Sequence, residues 1–203
     1  MSNPSVKSAI LTTLKKETAV AHKATEAVAL GHKMKDLTLS RAEYSQLISC
    51  NWWIHQRIEK TIDAFLTQQT FPKLSVFFDR KSEWLAADMA YLNIIPNQQP
   101  FSTIVYPKIT TKAALLGCLY VIEGSMLGGQ LMVNLFRKHA TLNDIAQFHF
   151  YQGYGKNTRQ RWKTFQALTN EMEWTPLTTQ QAVQQAKDTF RFFQSTYQIG
   201  LSV

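Results

Sequence analysis

Between Ser8 and about Leu30 the positions Ile10, Leu14, Thr18, Ala21, His22 and Thr25 recur at three-to-four spacing, which predicts a first helix with Gly31 as its terminator. Ser40-Arg41-Ala42-Glu43 reads as a capping box, with Leu39 and Tyr44 placed as its hydrophobic staple, and the amphipathic run behind it predicts a long second helix to about Leu66. Phe71-Pro72 breaks that pattern. A third helix is expected from Ser75 or Arg80 to Leu92, before Pro96, Pro100 and Pro107 impose the longest irregular connection. Thr110 or Thr111 can cap a fourth helix that continues through Leu135 and Phe136 to a basic end at Arg137, Lys138 and His139. Residues 141–156, with Gly153 and Gly155, read as irregular. Asn157 starts a fifth helix to about Met172, and Thr175-Pro176 opens a sixth through Tyr197. No stretch alternates as a strand does, and no repeat or low-complexity segment interrupts the pattern. The expected class is all-α, a single domain over residues 1–203 with residues 1–7 flexible.

The fourth helix carries an anomaly. Within the apolar stretch from Leu119 to Leu131 stand Gly124, Gly128 and Gly129. Each glycine costs a helix interior about 1 kcal/mol relative to alanine, so the trio costs roughly 3 kcal/mol, a large share of a typical net stability. Gly124 and Gly128 are four apart and share one face, so the bare backbone marks either a tight helix crossing or a wall against which a flat ligand lies. Spacing alone favours the crossing, the commoner reason for glycine in a helix.

Composition narrows the setting. The 203 residues carry 22 Lys and Arg against 14 Asp and Glu, a net charge of +8 that suits an anionic partner. The charges are dispersed and form no basic block of the nucleic-acid kind. Cys50 and Cys118 lie in apolar, helix-like surroundings without metal-ligand spacing, as buried free thiols of a reducing compartment would. The N-terminus has no apolar signal core, and the longest apolar run, near Ala113 to Ile122, is half a membrane span; a soluble, cytoplasmic protein with no membrane insertion is expected.

His22 lies on the apolar side of the first helix with Glu26 one turn on, where a carboxylate can orient an imidazole whose other nitrogen holds a metal. A lone helical histidine is more often a hydrogen-bonded core residue. His32, His55, His139 and His149 form no HxH or HExxH pattern, and no pair of Glu-x-x-His motifs is present, so a zinc or di-iron site built from protein alone is not expected.

The segment Leu14 to Glu26, with its histidine, resembles the proximal-helix motif of heme oxygenases. Tyr120 to Gly129, containing Glu123-Gly124-Ser125-Met126-Leu127-Gly128, is similar to the distal helix of the bacterial, biliverdin-producing branch. Phe150 to Gly155, Arg161-Trp162 and the segment ending at Phe190 resemble later parts of the same family, so the resemblance covers nearly the whole chain. It implies a helical bundle that sandwiches heme between the first helix and a glycine-kinked distal helix. It also implies a proximal iron ligand in His22, an orienting carboxylate in Glu26, and a wall above the ring made by Gly124, Gly128 and Gly129. Lys15 matches the family's propionate-binding lysine. Arg159, Arg161 and Lys163 are candidates for a second anchor, Arg161 foremost, and Phe190 and Tyr197 match aromatic positions near the pocket. Ser125 stands where animal-type members carry an aspartate that holds distal water, which puts the details of proton delivery in question. The implied reaction is cleavage of heme, substrate and cofactor at once, with O2 and electrons from a reductase, ferredoxin or ascorbate, to biliverdin, iron and carbon monoxide. Lys15 and Tyr120 together resemble the members that give the IXα isomer. The rivals are a non-catalytic heme carrier or sensor, a thiamin-salvage-type hydrolase of the same fold, and a basic nucleic-acid-binding module, which lacks any supporting motif. An acidic redox protein suits the net charge as electron donor.

Overall fold

The computed structural model describes residues 9–95 and 101–201. The expected flexible start at residues 1–7, and Pro96 and Pro100 of the proline-spaced connection, lie outside the described residues. Among these residues there are helices and turns and no strand, as the hydrophobic periodicity requires. Helix α1 spans Ala9–Val28, α2 Gly31–Lys35, α3 Arg41–Leu66, α4 Pro72–Ser75, α5 Lys81–Tyr91, α6 Lys112–Ser125, α7 Gly129–Phe136, α8 His149–Gln152, α9 Thr158–Asn170 and α10 Pro176–Gly200. Single 3-10 turns cover Met126–Gly128 and Gly155–Asn157.

The predicted boundaries follow the caps. Ser40 Oγ accepts from the Glu43 amide at 3.2 Å while Glu43 Oε2 accepts from the Ser40 amide at 3.0 Å, the reciprocal box read at the start of α3. Thr111, not Thr110, caps α6, its hydroxyl accepting from the Ala114 amide at 3.1 Å. Three expectations change. Gly31 opens α2 rather than simply ending α1, and the left-handed residue that turns the chain is Leu30, at φ 59°. Gly31 is there for space: a Cβ on it would sit 2.6 Å from the Glu26 carbonyl oxygen. The third helix takes the Arg80 start, as α5, while Pro72, expected only to break the pattern, opens the additional short helix α4. The irregular stretch 141–156 contains the short helix α8.

The core forms around α6 and α10, with α1 on the outer side of α10 and α3 bridging α5 and α10. The closest approach in that core is made by Gly117, where a Cβ would lie 2.1 Å from the Ala182 carbonyl oxygen of α10. The run Lys112–Phe136 is long and apolar enough to cross a membrane, at mean hydropathy 1.3, but 56% of that apolar window is buried inside the bundle, as in the core helix of a soluble protein. Cys50 and Cys118 are free and buried, and burial pushes both thiols up to about 12.

Candidate functional site

A cavity of about 500 Å³ opens between α1, α2, the α6–α7 bend and α10, with α3 and α8 at its back. Of the residues singled out from sequence, His22, Glu26, Gly124, Ser125, Gly128, Gly129, Phe190 and Tyr197 line it. His22 comes from the middle of α1, is exposed toward the cavity mouth, and meets the Phe190 ring edge-on with centroids 5.9 Å apart. Among the described residues its imidazole has no hydrogen-bond partner, and Glu26, one turn on, is not bonded to it; both nitrogens are open to a ligand.

The opposite wall is the bend. Ser125 Oγ donates to the Ile122 carbonyl at 2.9 Å, a back-bond that loosens the regular ladder where α6 tightens into the 3-10 turn. The three glycines divide between the two readings of their spacing. A Cβ on Gly128 would meet nothing within 4 Å, so bare backbone faces the cavity there. A Cβ on Gly124 would touch the Trp162 ring at 3.6 Å, ordinary contact. Gly129 is a crossing: a Cβ would fall 2.1 Å from the Tyr151 carbonyl oxygen, where α7 passes α8.

The back of the cavity is polar, and the sequence reading did not find it. Tyr197 donates its hydroxyl to Asn51 Oδ1 at 2.7 Å, and Asn51 Nδ2 donates to the Leu47 carbonyl at 2.9 Å. The Tyr151 phenol also bonds to the Asn51 side chain. Burial raises the pKa of both phenols far above the ordinary range, so both keep their protons at neutral pH. An asparagine buried among the apolar positions of α3 was the available signal. Behind this wall stands His55, fully buried against Phe150 and Phe193 with neither ring nitrogen bonded. Burial, helped by the charge of Lys81, pushes it down to about 3, so it is neutral.

The expected anion-binding residues separate. Lys15 is exposed on α1 two turns before His22, outside the cavity lining. Tyr120 is half-buried, packs on Trp162 at 5.7 Å, and bonds through its hydroxyl to Thr18 on the same stretch of α1. Arg161 does not reach the cavity. Its Nε donates to Glu123 at 3.1 Å and its Nη2 to Asp79 and to the Val76 carbonyl, so its guanidinium is committed elsewhere. That overturns the expectation for Arg161, and the physical reason is Glu123: a carboxylate with 2% of its side chain exposed demands cationic partners. Arg159 and Lys163 remain exposed on α9.

The sequence profile of the heme oxygenase family matches residues 8–198, nearly the whole chain. The chain belongs to the heme oxygenase family. A curated heme oxygenase from Xanthomonas campestris pv. campestris (strain 8004) is 34% identical over 73 residues, which is 36% of this chain and 43% of the relative, so the match spans less than half of that relative's length. Among solved structures, the NO- and CO-bound heme oxygenase from Neisseria meningitidis superposes with a TM-score of 0.71 at 20% identity, covering 96% of this chain and 92% of that one. Heme oxygenase-1 from the cyanobacterium Synechocystis sp. PCC6803, in complex with heme, gives 0.68 at 14% identity over 93% and 90%. The enzyme from Leptospira interrogans gives 0.70 at 15% identity over 93% and 98%. These likenesses establish the all-α heme oxygenase fold, in a family of heme-degrading oxidoreductases.

Proposed function

We propose that the chain, as a single domain, is a heme oxygenase that binds heme in the cavity between α1 and the α6–α7 bend and cleaves it to biliverdin, iron and carbon monoxide. The observation that carries this reading is the pairing, in one cavity, of an unpartnered helical imidazole, His22, with the uncovered backbone at Gly128. The residues fit the group: the cavity falls in the size range of cofactor sites, its apolar lining suits a porphyrin, and the missing Cβ lets a helix approach a flat ring. Heme supplies the iron that takes up O2 and the ring that is opened.

The protein's part is to bind, orient and deliver protons. His22 would hold the iron, with Phe190 against its ring to fix the plane of the imidazole. Gly124 and Ser125 continue the wall beside Gly128, and Glu26 lies close enough on α1 to orient His22 once it is ligated. Ser125 gives its proton to Ile122 and Tyr197 gives its proton to Asn51, so the Tyr151 hydroxyl, also held at Asn51, is the group that would supply protons at this cavity, by way of water. Lys15, in the N-terminal half of α1, and Tyr120, on α6 beside Thr18 of α1, would take the propionates, with Arg159 or Lys163 as further cations in place of Arg161. Two such contacts of about 1.5 to 3 kcal/mol each would bias one in-plane orientation of heme by tenfold or more and favour the IXα isomer. An acidic redox protein, attracted by the net charge of +8, would deliver electrons, and the free buried thiols suit a cytoplasmic location.

A hydrolase of the same fold would need a cysteine nucleophile in the cavity, and neither Cys50 nor Cys118 lines it. A carrier or sensor would leave the ring intact. Haemin added to the protein, followed by ascorbate in air, should convert the heme absorption into that of a bilin; unchanged heme would favour the carrier. Chromatography of the product should give mainly the IXα isomer, and Lys15→Asn with Tyr120→Phe should redistribute it. A mainly β or δ product from the wild type would refute the orientation argument.

A further inference from the structure

The glycine stretch is a weak helix former and bends through a 3-10 turn, so its shape must be imposed from outside. Two contacts bracket it. On the N-terminal side stands Glu123, whose Oε1 accepts from Lys81 Nζ at 2.5 Å and whose Oε2 accepts from Arg161 Nε at 3.1 Å. Lys81 has no exposed surface, and the Tyr154 hydroxyl lies 3.1 Å from both Lys81 Nζ and Glu123 Oε1. On the C-terminal side Gly129 is pressed against the Tyr151 carbonyl of α8. Helix α8 is in turn held by Asp88, which accepts from the amides of His149 at 2.7 Å and Phe150 at 2.9 Å, and from His149 Nδ1 at 2.9 Å.

Both brackets come from one helix. Lys81 opens α5 and Asp88 follows seven residues later, two turns along the same face. We infer that α5 is a strut that fixes both ends of the glycine stretch, Lys81 through Glu123 and Asp88 through α8, and so sets the height of the Gly124–Gly128 backbone over the cavity. Glu123, Lys81 and Asp88 are positioning residues on this account. Stability alone is a poor reason for the Lys81–Glu123 pair, because a buried ion pair is commonly replaced by well-packed apolar residues at little or no loss. What such a pair fixes is place. The inference concerns the segment that the proposed function sets above heme and rests on that reading only for its heme-binding arm.

The test compares wild type with Lys81→Met/Glu123→Met, which removes both charges together, and with Asp88→Asn. Amide hydrogen exchange is followed in the apoprotein over residues 124–129, at a temperature where circular dichroism reports native helix content. Each variant should exchange these amides at least tenfold faster while α3 and α10 exchange as in wild type. Heme bound to each variant should transfer to apomyoglobin at least tenfold faster, with an altered ferric absorption spectrum. Arg80→Ala, which breaks the exposed Arg80–Asp63 pair beside the start of α5, should leave both readouts unchanged. Variants whose exchange over 124–129 matches wild type overturn the strut, whatever happens to their melting temperature. If the wild type itself fails to bind heme, the functional reading falls and the exchange result still decides the strut.

Discussion

Alanine placed at each distal glycine should produce effects of opposite sign within one turn of helix. At Gly128 the added methyl meets nothing within 4 Å. Exchanging glycine for alanine there gains roughly 0.5 to 1 kcal/mol from the lower entropy of the unfolded chain, which for a domain of this size raises the melting temperature by about 1 to 4 °C. The same methyl occupies the space proposed for the porphyrin, so heme should bind more weakly to the more stable protein. At Gly129 the methyl would fall 2.1 Å from the Tyr151 carbonyl oxygen, and one of the two helices must move by well over an ångström to reach ordinary contact. Overpacking of that kind costs roughly 1 to 3 kcal/mol or more, which exceeds the propensity gain, so the melting temperature should fall by several degrees. Gly124→Ala, whose methyl meets Trp162 at an ordinary 3.6 Å, should stabilise by a similar amount, roughly 0.5 to 1 kcal/mol. Thermal or urea denaturation of the apoproteins, with haemin titrations of the same variants, gives both quantities. A Gly129→Ala protein as stable as wild type would refute the crossing. A Gly128→Ala or Gly128→Leu protein with wild-type heme affinity would return Gly128 to ordinary packing.

Other consequences follow from charge and burial. His55 is neutral in the folded protein, at about 3, against 6.5 when exposed. The unfolded chain therefore binds a proton that the fold refuses, and stability falls by about 1.4 kcal/mol per pH unit as pH drops from 6.5 toward 3. His55→Phe should remove this slope: between pH 7 and pH 5 the wild type should lose about 2 kcal/mol more than the variant in urea denaturation, and parallel losses would mean that His55 is solvated or charged in the fold. The opposite contributions of Glu59 and Asp88, whose burial raises them, are common to both proteins and cancel in the difference. Reduction of the heme complex by an acidic ferredoxin or flavodoxin should slow as ionic strength rises, and a flat salt response would separate the +8 charge from electron delivery.

The helical class, the caps at Ser40, Thr111 and Thr175, and the bracket of His22 against the glycine stretch were legible because each is local: a period, a cap or a motif within one helix. What escaped depends on contacts between distant segments. Gly117 reads as an unremarked helix residue until the Ala182 carbonyl lies against it. Arg161 reads as a surface cation free to meet a propionate, and only the fold brings it to Glu123 and Asp79. Asn51 stands far from Tyr151 and Tyr197 along the chain, and the three become one polar cluster only when α3, α8 and α10 meet. Spacing left the distal glycines ambiguous between wall and crossing, and the ambiguity was real, since Gly128 leaves bare backbone at the cavity and Gly129 sits at a close crossing.

The central claim is that His22 holds a heme in the cavity facing the bend. Its most direct measurement is the absorption spectrum of the ferric heme complex of His22→Ala, with and without added imidazole. The account predicts loss of the wild-type spectrum and its recovery when imidazole fills the space left by the side chain, with turnover to bilin lost in the variant. A His22→Ala complex whose spectrum matches the wild type without imidazole would contradict it.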